Sequence, residues 1–160
     1  MMRRTEMKPG DAVLAKEAEV LLTIGGRRYK WATLTNFELK YNVKTKEVPA
    51  VGMLVYGRKP TGADIQWSAT HYKVDSSVQD VVQTYLETGV MPTITIQCTN
   101  DDPAAAELGR STVVANDCII DGDVLLAKAA GNDDFIEQSI SGYARSVSFP
   151  EKQTTPGYML

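Results

Sequence analysis

Two short stretches of this chain alternate too strictly to be anything but strand. In "TNFELKYNV", Phe37, Leu39, Tyr41 and Val43 fall on one side, and Asn36, Glu38, Lys40 and Asn42 on the other. In "ADIQWSAT", Ile65, Trp67 and Ala69 oppose Asp64, Gln66, Ser68 and Thr70. Successive side chains of a strand point to opposite faces, so each stretch carries one apolar and one polar face. Such strands belong to antiparallel sheets with one side on a core and the other in water.

The segment between them, "KTKEVPAVGMLVYGRKPTG" (44–62), breaks that rhythm. Pro49, Gly52, Gly57, Pro60 and Gly62 rule out a continuous central strand. Val48, Val51, Met53, Leu54, Val55 and Tyr56 nevertheless make it too apolar for a solvated loop. We read residues 44–60 as a long loop that either folds back over its own core as a short hairpin or is buried by a partner. The phosphate-loop look of "GRKPTG" does not survive its context. It leads into a strand rather than a helix and lacks the Gly-Lys-Ser/Thr ending.

The rest of the chain adds strands and one helix. Gly25-Gly26 divides residues 17–34 into a hairpin, since glycine reaches positive φ at low cost. Residues 75–89 form a helix with an apolar stripe of Val78, Val81, Val82, Tyr85 and Leu86, capped by Asp75 or Ser76 and ended by Gly89. That stripe predicts packing on a sheet. "MPTITIQCT" reads as a strand, 111–130 as a hairpin about Asp121-Gly122, and 135–149 as a final strand-rich stretch. The expected fold is mainly β (α+β): an antiparallel barrel or sandwich of seven or eight strands with one packed helix. Residues 1–15 read as a flexible arm, 16–152 as a single β domain and 153–160 as a C-terminal tail.

The chain has 160 residues, 43% hydrophobic, enough for one core. A net charge of −3, with scattered basic pairs, argues against a dedicated nucleic-acid binder. Cys98 and Cys118 form no CxxC; a reduced pair is favoured over a disulfide. His71 is the single histidine and lies on the apolar side of its strand, where packing explains it. Acidic clusters sit at turns, where Asp and Asn are favoured for backbone reasons. No nucleophile elbow, zinc spacing or calcium loop is present, and no cofactor or metal is expected. No apolar run is long enough to span a bilayer.

The order of parts is itself informative: hairpin, apolar Gly/Pro segment, "GRKPTG" leading to "SATHYKV", one helix, then "PTITIQCTNDD", "GRSTVVANDCIIDGD" and "SVSFPEK". It resembles the tail tube proteins of contractile phage tails, in particular the PBSX-like core tail tube family of defective prophages and bacteriocin-like particles. The resemblance implies a non-enzymatic subunit of the virion tail, assembled in the host bacterial cytoplasm. Such subunits form homohexameric rings stacked into a tube, with sheath, tape-measure and baseplate proteins as partners and no membrane anchoring. It implies that Val48, Pro49, Val51, Met53, Leu54, Tyr56 and Arg58 of the long loop contact neighbouring subunits. Asn36, Glu38, Lys40, Asn42, Asp64, Gln66, Ser68 and Thr70 would then line a channel that DNA crosses without specific binding, or else form an outer solvated surface. The alternative is a small β-barrel ligand-binding module or enzyme with residues 44–60 as a lid.

Overall fold

A computed structural model describes residues 7–74, 76–132 and 134–159. The expected cap Asp75, Asp133 of one acidic cluster and the start of the arm lie outside the described residues. Eight strands and one α-helix follow in chain order: β1 Ala18–Ile24, β2 Arg27–Lys30, β3 Leu34–Val48, β4 Gly57–Tyr72, α1 Ser77–Thr88, β5 Ile94–Asn100, β6 Ser111–Ile120, β7 Glu137–Ala144 and β8 Ser146–Glu151. All ladders are antiparallel, in the order β2-β1-β5-β6-β7-β4-β3, with β8 on β6. The mainly β fold with one helix is the one the alternation predicts.

Strand β6 turns this sheet into a two-layered body. Its residues Ser111 to Cys118 lie along β5, with β8 on the other side of Thr112 to Asn116, and its last two residues, Ile119 and Ile120, pair with β7. Asp117, just before this changeover, takes a positive φ of 51°. Strands β7 and β8 make the same switch through Arg145, whose N–H donates to the Asn116 carbonyl at 3.1 Å. Glycine is required at Gly142 in the crossing, because a Cβ there would overlap the Ile119 carbonyl.

The apolar faces close on one core. Val20 and Leu22 of β1, Trp67 and Ala69 of β4, Ile94 and Ile96 of β5, Ala115 and Cys118 of β6 and Ile140 of β7 meet there with Val78 and Val81 of α1. His71 is buried with them and packs at a tilt against Trp31, ring centroids 5.2 Å apart, so it is a core histidine. Both thiols are free. Cys98 lies opposite Val113 and Cys118 opposite Ile94, which separates the two by four ladder positions, roughly 13 Å, too far for a disulfide. The Gly25-Gly26 turn is as expected, with φ of 56° and 86° between β1 and β2.

Three sequence expectations are corrected. Residues 44–60 are not one long loop: Lys44–Val48 and Gly57–Pro60 continue β3 and β4, paired out to Val48↔Gly57. The prolines and glycines misled because this ladder accommodates them, Thr61 bulging out between Lys44↔Gly62 and Thr45↔Pro60. Only 49–56 is a turn. The Asp121-Gly122 hairpin is absent too, since among the described residues no strand follows until Glu137. At Leu125 and Leu126 the connection instead passes β7 and the start of α1, where Gln79 Nε2 of α1 donates to the Leu126 carbonyl at 2.7 Å and Gln138 Nε2 of β7 to that of Leu125 at 3.1 Å. Finally, the helical stripe is core only in its first half. Val81 is 2% exposed, but Tyr85 is 51% and Leu86 78%.

The segments flanking the β domain touch it. The Leu14 N–H donates to Asp102 Oδ2 at 2.9 Å, and the Thr154 N–H to the Leu108 carbonyl at 2.8 Å.

Candidate functional site

Two surfaces stand out, both built on β3 and β4. The first is polar. All eight predicted channel residues share one face of this ladder as directly opposed pairs: Asn36↔Thr70, Glu38↔Ser68, Lys40↔Gln66 and Asn42↔Asp64. Strand β7 widens it, placing Ser139 beside Thr70, Ser141 beside Ser68 and Tyr143 beside Gln66. The β7 residues were missed in the sequence, although Gln138, Ile140 and Gly142 are buried alternately with exposed Ser139, Ser141 and Tyr143. The charges on this face pair among themselves. Lys40 Nζ lies 3.2 Å from Glu38, and Lys44 Nζ 2.9 Å from Asp64. The hydrogen bond to Asp64, reinforced by its charge, raises the Lys44 pKa. A neutral, hydroxyl-rich face results, without a cluster of free cations to hold phosphate.

The second surface is the distal half of the same hairpin. Strand β7 pairs with β4 only from Ile65 to Tyr72. Beyond it, 42–48 and 57–63 project as a two-stranded ribbon exposed on both faces. The apolar row that begins with half-buried Phe37 and Leu39 runs out of the core into exposed Tyr41 and Val43. At the tip Val51 is 107% and Leu54 101% exposed, and Val48, Met53 and Tyr56 are exposed as well. Pro49 shares this exposure. Arg58 lies in β4 rather than in a loop, and its Nε donates to Thr45 Oγ1 at 3.0 Å, so it braces the ribbon.

Two cavities lie away from residues 44–60. A cavity of about 200 Å³ opens on the polar face between Glu38, Gln66, Asp121 and Tyr143, and another of about 250 Å³ lies among Asp11, Leu108 and the C-terminal residues 154–158. Neither is lined by any residue of 44–60. Among the described residues no three His, Cys, Asp or Glu side chains gather as a metal site. No helix among them is long and apolar enough to cross a membrane.

Comparison with known proteins points one way. The profile of a family described as "Phage tail tube protein" matches residues 5–149. The chain is 30% identical over 127 residues to the uncharacterized protein YqbM of Bacillus subtilis strain 168, covering 79% of this chain and 80% of YqbM. It is 25% identical over 146 residues to the phage-like element PBSX protein XkdM of the same strain, covering 91% and 95%. Among solved structures, a chain of the anti-feeding prophage baseplate shares the fold with a TM-score of 0.66 at 6% identity, over 86% of this chain and 95% of that one. The SPP1 tail tube subunit does so with a TM-score of 0.60 at 10% identity, over 91% and 82%.

Proposed function

The chain belongs to the phage tail tube protein family and is a structural subunit of the tail, and on that premise we propose that its β3–β4 ribbon is the joint between neighbouring subunits. One observation carries this reading: the ribbon is exposed on both faces and ends in an apolar tip that its own fold leaves uncovered. An isolated two-stranded ribbon is marginal in water, and a contiguous apolar patch of this kind is a contact surface awaiting its partner. Strand β3 is also a sheet edge of 15 residues, which assembly with another copy would complete.

In this reading the subunits close into hexameric rings that stack into a tube, with the polar β3–β4–β7 face toward the channel. Its self-paired charges suit a conduit in which DNA slides without being held. Sheath, tape-measure and baseplate proteins are the expected partners, and the subunit carries no catalytic activity.

The test replaces residues 49–56 by Asn-Gly, a turn that closes a two-residue hairpin without the apolar tip. The variant should stay folded, with unchanged circular dichroism, yet form no rings or tubes under conditions where the wild-type chain does by negative-stain electron microscopy. Normal tubes from the variant would show that the tip is not the joint.

A further inference from the structure

We propose that the surface receiving the hairpin tip is the exposed end of α1 on a second copy of this chain. This rests on the tube reading above and adds the identity of the partner surface.

The tip cannot reach its own helix. Leu34 of β3 lies opposite His71 at the base of the hairpin, and α1 begins just beyond Tyr72 at that same end. From Leu34 to Val48 the strand spans roughly 45 Å at about 3.3 Å per residue. The twelve residues of α1 cover about 18 Å in whatever direction they run. Any contact between tip and helix is therefore between molecules.

Each surface has what the other lacks. The distal ribbon carries Lys46, Arg58 and Lys59 against a single carboxylate, Glu47, once Lys44 is engaged by Asp64. Lys46 and Lys59 stand directly opposite each other, a repulsion that an acidic neighbour would relieve. Helix α1 contains Asp80 and Glu87 and no Lys or Arg. Its last turns expose Leu86, with Val90 just beyond, and Glu87 adjoins them on the same open side, where it accepts a hydrogen bond from Gln83 Nε2 at 3.0 Å. Both surfaces thus have an apolar centre, Val51, Leu54 and Val55 on one and Tyr85, Leu86 and Val90 on the other, with opposite charge beside it. Two tips meeting by two-fold symmetry would set cation against cation. Tip on helix is a heterologous, head-to-tail contact, the kind that generates rings and stacks.

Two readouts test this. Charge reversal at Glu87→Arg or Lys59→Glu, both at exposed positions, should reduce sedimentable polymer at least tenfold without changing the melting curve, and combining the two should restore it. Leu54→Cys combined with Leu86→Cys should give a ladder of disulfide-linked multimers in assembled tubes, and either change alone should give none. Burial raises both native thiols, Cys118 to about 11, which lowers their thiolate fraction, and the two single variants control for any disulfide they form. Tubes that form without a ladder, or a double charge variant no better than the single ones, would overturn the pairing and leave the tube reading intact. A wild-type chain that stays monomeric under every condition would overturn both.

Discussion

At the scale of single residues, four positions report on different parts of the fold. Gly142 permits the close crossing of β6 and β7, so Gly142→Ala should force them apart and cost roughly 1–3 kcal/mol, visible as a lowered midpoint in urea unfolding. Val81 and Leu86 are both members of the helical stripe, yet only Val81 is enclosed. Val81→Asp would bury an unpaired charge and should destabilise the domain by on the order of 3 kcal/mol or more. Leu86→Asp should leave the melting temperature nearly unchanged while affecting assembly, and equal losses from both would put Leu86 in the core. Glu151 binds β8 to β6: it accepts from Thr112 Oγ1 at 2.8 Å and from Arg110 Nη2 at 2.6 Å. Those bonds, Thr112 first, hold its pKa below the ordinary value. A carboxylate depressed on folding stabilises above its unfolded pKa and loses that contribution as pH falls through its folded one. The wild-type chain should therefore lose more stability than Glu151→Gln between about pH 5 and pH 3, which thermal melts across that range would measure.

Among the elements, the β3–β4 hairpin and α1 depart most from their sequence patterns, and for related reasons. Alternation correctly paired Asn36, Glu38, Lys40 and Asn42 with the face of Asp64, Gln66, Ser68 and Thr70. It could not show that only half of that ladder has a third strand behind it. Pro60 and Gly62 read as breakers because a proline in a central strand loses a ladder bond, but beyond the reach of β7 the strand is an edge-like ribbon where proline is tolerated. Likewise, the periodicity of Val78, Val81, Val82, Tyr85 and Leu86 locates an apolar face and says nothing about how far the sheet beneath extends. The long connection 121–136 illustrates the converse: Asp121-Gly122 is a sound local turn signal, overridden because side chains of α1 and β7 satisfy the carbonyls of Leu125 and Leu126.

For the whole molecule, the prediction concerns the polar face as it would act in an assembled tube. Glu38→Lys and Gln66→Lys change side chains that already stand in water, so folding and tube formation should persist. Repetition around a ring would turn each change into a positive girdle, and release of DNA from such particles should slow in a manner that high salt relieves. Unaltered ejection kinetics at low salt would place this face away from the channel.

The sequence by itself determined which residues share a face, where the first hairpin turns and that one helix exists. These are local properties, written in periods of two and 3.6 residues and in turn chemistry. Only the tertiary structure decided that β6 and β7–β8 each serve two layers and that the β3–β4 ladder outruns its neighbour. It alone left the tip of that ladder and the end of α1 uncovered. Those features depend on which strands lie beside one another and for how long. Neighbours distant in the chain set that, and no local pattern encodes it.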